Sequence, residues 1–418
     1  MLYGGDGATA AGERSPFVLP GELVSRDGGG ELTILESSAD RIAPACAHFG
    51  ACGGCHYQHA EYPAQLRIKE AILRDIVGSH GLTETPKIEV HSGPEWRYRN
   101  RIRLRVGEVD GELRAGYNRH GATGGEAMLP VAMCPVAAPL LWQAATAVIE
   151  LAKSEPAVRG WLASAVELEF FTNADETALH LTLFTRGTAS GGFAELCAAL
   201  QRRVPQLTGA GVAMLPKRPS PQGRRFEPVK AGAQWGAAGL LYQVDGYGYW
   251  VGRGGFFQIN RYLLPTLAGL AAAGRTGEIA WDLYAGAGLF SRALTKSFGR
   301  VTGVEAAEPA AGGLAAALKP PHRALAMTTL DFLQAAVVQR ERPELIVMDP
   351  PRAGLGAEVC GLLGRIRAPE MVYVSCDPVT LARDLKLLVG SGYRIAALHL
   401  VDMFPQTFHM ETVAVLVR

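Results

Sequence analysis

Apolar and polar positions along the chain follow two rhythms, and the change comes near Gly255. Downstream, short apolar runs recur (EIAWDLY, RVTGVE, ELIVMDP, MVYVSCDP and TVAVLVR), separated by alanine-rich stretches of helical character. Strands alternating with helices predict a parallel, doubly wound sheet with its chemistry at the strand ends. Upstream, Tyr62 to Val77 places Leu66, Ile68, Ile72, Leu73 and Ile76 close to a helical period, with Gly78 and Gly81 available to stop it. RYRNRIRLRV alternates strictly from Arg99, so Arg99, Arg101, Arg103 and Arg105 share one face of a strand and Ile102, Leu104 and Val106 the other. The runs VELEFFTN, ALHLTLFT and LLYQVDGYGYWVG predict further strands, with a helix around Phe193 to Arg203 and a Pro/Arg-rich loop from Pro216 to Lys230. This middle region reads as α+β. Gly21 to Ile42 alternates weakly around a glycine turn, as a hairpin does. Residues 1 to 20, rich in Gly, Ala and small polar residues, read as a poorly ordered lead-in without chemistry.

Composition changes this picture in three places. A chain of 418 residues, 48% hydrophobic and 19% charged, reads as a globular protein of two or three domains. Its formal net charge of +1 excludes a wholesale polyanion-binding surface. Phosphate contacts would then come from local patches: the Arg99 to Arg105 face and the loop PKRPSPQGRRFEPVK, with Trp96, Tyr98 and Tyr117 near enough to stack on bases. Replacing Arg101 and Arg103 by Ala is then expected to weaken nucleic-acid binding through that face and flatten its salt dependence. The opening MLYGGDGATAAGERSPF has no basic start followed by an apolar stretch, and no later run approaches a membrane span, so no membrane partner and a cytoplasmic location are expected. Seven cysteines in such a chain are expected to be reduced.

Candidate chemistry collects at the ends of the C-terminal strands. EIAWDLY runs into Ala285-Gly286-Ala287-Gly288, glycines where a backbone turns tightly beside a ligand. The next strand ends in Glu305, which can accept hydrogen bonds from both hydroxyls of a ribose. These two features suit S-adenosylmethionine and NAD equally. Asp349-Pro350-Pro351-Arg352 favours the former, because an acidic residue with two prolines at a strand end builds a rigid lip over the methyl donor in many methyltransferases. Cys376, in VSCDP, closes the next apolar strand and is a candidate nucleophile; Glu411, in FPQTFHMET, stands at the mouth of the last one.

A thiol and a carboxylate so placed suit chemistry at carbon 5 of a uracil. That carbon is a poor nucleophile until a thiolate adds to carbon 6, and a base must then remove the hydrogen from carbon 5. The uracil has to leave its stack to react. Elsewhere Cys46-x5-Cys52-x2-Cys55 occupies a glycine-rich turn, with Cys134 far downstream as a fourth thiol; this spacing points to zinc or an iron–sulfur cluster and does not choose between them.

Taken in order, CAHFGACGGC with MCPV, GFFQIN, WDLYAGAGLF, GVE, MDPPRAGL, VSCDP and FPQTFHMET resemble the RNA 5-methyluridine methyltransferase family, and within it the iron–sulfur branch that modifies 23S ribosomal RNA. The resemblance spans nearly everything from Gly21 onward. It implies a Rossmann-like S-adenosylmethionine domain over residues 255–418 and an α+β central domain over 45–254, whose helix 61–80 can pack on the catalytic domain. It also implies a [4Fe-4S] cluster, in preference to zinc, on Cys46, Cys52, Cys55 and Cys134. The cofactor contacts it implies are Gln258, Tyr284, Gly286, Glu305 and Asp349, with Asp331 on the adenine side. Cys376 takes the role of nucleophile and Glu411 that of base, and 23S ribosomal RNA is the implied partner of a monomeric enzyme. A transfer RNA target, or an RNA-binding iron–sulfur protein without catalysis, are the alternatives. Two departures stand out: residues 1–44 carry only the last part of the family's N-terminal β-barrel, and Asp377 replaces the commoner Asn, a charge expected to raise the Cys376 pKa.

Overall fold

A computed structural model describes residues 1–9, 12–27, 32–121, 128–187, 191–216 and 230–418. Residues 217–229 of the basic loop named above lie outside the described residues. The chain divides into two units, Met1–Glu95 with Leu333–Arg418, and Trp96–Phe332.

In the first unit five strands pair in the order Leu345–Met348, Glu370–Ser375, Glu411–Val417, Arg394–Val401 and Ile88–His91. The first two are parallel and almost wholly buried, as unbroken apolar strands must be when both faces are covered. Against the expectation of a parallel sheet throughout, Glu411–Val417 runs antiparallel to both its neighbours. Residues 402–410 alone separate it from Arg394–Val401, and a parallel crossover needs a dozen residues or more. The helix Pro378–Gly390 follows Glu370–Ser375 and is capped by Asp377, whose Oδ1 accepts from the amides of Val379 and Thr380, both at 3.0 Å.

The helix Tyr62–Ser79 has Pro63 in its first turn and buries Ala64, Gln65, Ile68, Lys69, Ile72, Leu73 and Val77. Two of these, Gln65 and Lys69, are polar, and both are answered: Gln65 Nε2 donates to the Ala60 carbonyl at 2.9 Å. Lys69 Nζ donates to Asp402 Oδ1 at 2.6 Å and to the Phe404 carbonyl at 3.0 Å, with both side chains of the ion pair fully buried. Tyr62 donates to the other Asp402 oxygen at 2.9 Å. Leu23–Arg26 and Leu32–Glu36 form the expected hairpin. The first twenty residues depart from the expected disordered lead-in: Gly7–Ala8 pairs with Arg14–Ser15, and Arg41 anchors the segment by donating to the Phe17 carbonyl at 2.8 Å.

The second unit contains a seven-stranded sheet in the order Lys230–Gly236, Leu207–Met214, Leu179–Thr185, Ala165–Thr172, Arg101–Val109, Glu112–Asn118 and Met128–Pro130. The helices Pro139–Ser154 and Phe193–Arg203 join its core through residues such as Leu141, Val148, Leu196 and Leu200. The arginine face of Arg101–Val109 is not an open basic patch. Arg101 lies 3.6 Å from Glu169 and Arg103 2.5 Å from Glu167, glutamates on the adjacent strand. Their guanidinium groups stack over Phe171 and Phe184, at 4.2 and 3.6 Å from the ring centroids. Tyr98 is fully buried and cannot stack on a base. Period-2 alternation identifies which residues share a face; it does not show that the neighbouring strand supplies the counter-charges.

Gly239–Val244 and Tyr247–Gly252 form a hairpin around Asp245-Gly246, both at positive φ, as a tight two-residue turn requires. The same unit carries the parallel strands Gly277–Leu283, Phe298–Glu305 and Arg323–Ala326, with the helices Leu289–Leu294 and Glu308–Ala317 between them.

Candidate active site

In the first unit, strand register sets the site. Ser375 pairs with Thr412 across an antiparallel ladder, so the next residue on each chain, Cys376 and Glu411, falls beside its counterpart at the strand ends. Asp349 directly follows Leu345–Met348, whose last residue pairs with Tyr373. The sequence expected these three side chains to converge, and their mutual electrostatic influence follows from that convergence.

Burial pushes the Cys376 thiol up to about 12; the Glu411 and Asp349 carboxylates push the same way, while Arg352 opposes them both as a charge and by hydrogen bonding to the sulfur. Glu411 is 2% exposed, and burial reinforced by Asp349 holds its carboxyl well above the usual carboxylate range, with Arg352 again opposing. Its Oε1 has no hydrogen-bond partner among the described residues. A desolvated carboxyl beside a half-buried thiol, both with raised pKa, is a candidate catalytic pair.

Two participants escaped the sequence reading. Arg352 appears there as part of the lip, but it is the cation that favours the thiolate. Tyr3 lies in the segment assigned no chemistry, yet its hydroxyl donates to Asp377 Oδ2 at 3.4 Å. Its phenol is pushed up by burial and by the nearby Asp377 and Cys376 charges. A lone tyrosine in a Gly/Ala-rich opening carries no signal that would have found it. Asp377 itself departs from expectation. Its carboxylate caps a helix, and the carboxylates raising Cys376 are Glu411 and Asp349 instead. Asn and Asp are equally good at that cap, which accounts for the exchange.

Cys46, Cys52 and Cys55 share one loop of this unit. The Cys46 amide donates to the buried Gln58 at 3.1 Å, the Phe49 amide to the Cys46 carbonyl at 3.0 Å and the Cys52 amide to the His48 carbonyl at 2.8 Å. Three sulfur donors on so tight a turn are a soft set suited to zinc or iron. Glu89, His91 and His399, unmarked in the sequence, also bring three potential ligand atoms within 4.8 Å of one another; a contact of 3.2 Å joins the two imidazoles.

The other expected site residues lie in the second unit. Tyr284, Gly286 and Gly288 all adopt positive φ after Gly277–Leu283, so the chain reverses sharply at the strand end. Glu305 closes Phe298–Glu305, and its two carboxylate oxygens accept from the amides of Gly286 at 2.9 Å and Ala307 at 2.7 Å. That fixes the carboxylate and leaves lone pairs for a diol. Beneath it Asp282 is fully buried, accepts from the Ser291 amide at 2.7 Å, and is pushed up to about 7 by burial. The Gln258 carbonyl accepts from Asn100 at 2.9 Å. Asp331 lies in the first turn of the helix Thr329–Gln339, bonded to Thr328 at 2.5 Å. Cys134 also belongs to this unit; its sulfur accepts from Tyr117 at 3.8 Å and burial raises its thiol.

Known proteins share sequence and fold with this chain. The model of the tRNA (Uracil-5-)-methyltransferase family matches residues 258–418. An uncharacterized RNA methyltransferase of Streptomyces avermitilis is 32% identical, over 92% of this chain and 85% of that protein. The 23S rRNA (uracil(1939)-C(5))-methyltransferase of Chromohalobacter salexigens is 30% identical, over 96% and 83%. Among solved structures, the Pyrococcus abyssi tRNA (uracil-54, C5)-methyltransferase in complex with S-adenosyl-L-homocysteine superposes with a TM-score of 0.71 at 23% identity, covering 97% of this chain and 95% of that one, a likeness of fold. No helix among the described residues is long and apolar enough to cross a membrane. The fold is a mixed α/β methyltransferase fold, and the chain belongs to the family of S-adenosylmethionine-dependent RNA uracil-C5 methyltransferases.

Proposed function

We propose that this protein methylates carbon 5 of a uridine in 23S ribosomal RNA through a covalent intermediate on Cys376, released by Glu411. The observation that carries the reading is the pairing of Ser375 with Thr412, which sets a half-buried thiol beside a buried carboxyl with Arg352 against the sulfur. Arg352 favours the thiolate, which adds to carbon 6 and moves electron density onto carbon 5. S-adenosylmethionine, when bound, supplies the electrophilic methyl group. Glu411 then takes the remaining hydrogen of carbon 5 as a proton, the carbon 5–carbon 6 double bond re-forms and the bond to Cys376 breaks.

Gln258, Tyr284, Gly286, Glu305, Asp331 and Asp349 are the residues assigned to hold that cofactor. The fixed carboxylate of Glu305 at the strand end favours a ribose there. Cys46, Cys52, Cys55 and Cys134 are assigned to a [4Fe-4S] cluster, which their all-sulfur donor set suits. No step of the reaction passes through that cluster. In terms of role, residues 1–44 are assigned to a shortened β segment, 45–254 to the cluster and RNA, and 255–418 to methyl transfer. A ribosomal target implies a cytoplasmic site of action, for a chain working as a monomer.

The test is methyl transfer from labelled S-adenosylmethionine to unmodified 23S ribosomal and transfer RNA, followed by nucleoside analysis. Labelled 5-methyluridine in the ribosomal transcript is expected. Label in transfer RNA alone moves the target, and none with folded, cofactor-loaded protein favours an RNA-binding protein without catalysis. Broad visible absorbance in anaerobically purified protein is expected for the cluster, and a colourless, zinc-loaded protein contradicts it.

A further inference from the structure

The segment that delivers Glu411, residues 402–410, contains one residue whose every polar atom is engaged. The Gln406 carbonyl accepts from the amides of His56 and Tyr57 at 2.8 and 3.0 Å, immediately after Cys55. Its own amide donates to Gln65 Oε1 at 3.0 Å, and Gln65 Nε2 donates back to Gln406 Oε1 at 2.9 Å. Gln406 Nε2 donates to Glu95 Oε2 at 2.8 Å. Gln65 and Gln406 are each 1% exposed. Gln406 also sits at φ +68°, a left-handed conformation that a side-chain-bearing residue holds only when its surroundings enforce it. Nothing in the reaction uses this amide, and it stands five positions before Glu411.

We propose that Gln406 is a positioning residue for the base, a buried clamp through which the segment after Cys55 and the helix Tyr62–Ser79 hold the chain reversal that brings Glu411 to Cys376. The proposal rests on the reading of Glu411 as the base given above. The bonds form a closed exchange, amide to amide between Gln65 and Gln406, so neither side chain can rotate without stranding a buried polar group. The reversal at Gln406 is therefore fixed from three directions, by the post-cysteine segment, the helix and Glu95. Since Thr407 to Met410 lead directly into the strand that begins at Glu411, freedom at Gln406 becomes displacement of the carboxyl.

A positioning role makes a prediction that a merely structural one does not. Glu411 acts only in the last step, so its displacement leaves adduct formation running and slows adduct release. The experiment follows covalent protein–RNA complex on denaturing gels, with ordinary uridine RNA and S-adenosylmethionine, for the full-length wild type and the variants Glu411→Gln, Gln406→Ala, Gln406→Gly and Gln65→Ala. Glu411→Gln is expected to accumulate the complex. Gln406→Ala is expected to lower kcat about 10- to 100-fold with little change in KM for RNA while accumulating the same complex. Gln406→Gly, which keeps the positive φ and the backbone bonds, is expected to fall between it and wild type, and it carries the test if the alanine variant does not fold. Gln65→Ala, which removes two of the bonds from the other side, is expected to resemble Gln406→Ala. Accumulation by Glu411→Gln but by none of the clamp variants, or wild-type kcat in folded Gln406→Ala, overturns the proposal. Failure of Glu411→Gln itself to accumulate complex overturns the base assignment, and the clamp with it.

Discussion

Burial and the Glu411 and Asp349 carboxylates push the Cys376 thiol up to about 12, against the opposing Arg352. A thiol titrating near 12 gains thiolate steadily as pH rises toward that value. Alkylation of Cys376 by iodoacetamide is therefore expected to accelerate across neutral and alkaline pH without reaching a plateau near pH 8. Arg352→Gln removes the one cation that opposes the shift, and is expected to slow alkylation several-fold at each pH. Glu411→Gln removes a carboxylate that raises it; at alkaline pH the variant is expected to alkylate faster than wild type while turning over far more slowly. Slower alkylation in Glu411→Gln contradicts the account. The positions of Cys376, Asp349 and Glu411 at strand termini were legible in the sequence, because each adjoins an apolar strand within a distinctive run. Arg352 and Tyr3 were not, since their roles arise from contacts across the fold that no local pattern encodes.

At the scale of elements, helical period identified Tyr62–Ser79 but gave no sign of Lys69, whose side chain is fully buried against Asp402. Desolvation lowers the lysine pKa and Asp402 raises it again, so neither charge is tolerable without the other. Lys69→Met and Asp402→Ala are each expected to cost about 3–5 kcal/mol in denaturant unfolding. Their double variant is expected to cost well under the sum, because the second substitution removes the charge the first left stranded. Additive costs contradict the pairing. The strand Arg101–Val109 teaches the complementary lesson: alternation gave the arginine face, but Glu167 and Glu169 of the adjacent strand were out of its reach. Arg101→Ala with Arg103→Ala is now expected to lower stability and leave the salt dependence of RNA binding unchanged; a flatter salt slope restores the open patch.

Over the whole molecule, alternating strands and helices announced the α/β character, but pairing order and direction did not follow from it. Ile88–His91 joins a strand more than three hundred residues away in sequence, and the final strand reverses because its connection is short. The central claim, that Cys376 attacks carbon 6 of a uracil which is then methylated at carbon 5, is tested most directly with RNA carrying 5-fluorouridine at the target. Fluorine cannot leave as a proton, so the methylated adduct has no exit. Incubation with S-adenosylmethionine followed by peptide mass spectrometry is expected to find the methylated fluorouridine joined to Cys376, and no complex with Cys376→Ser. A stable adduct on another residue, or methyl transfer to uridine RNA that survives Cys376→Ser, contradicts the account.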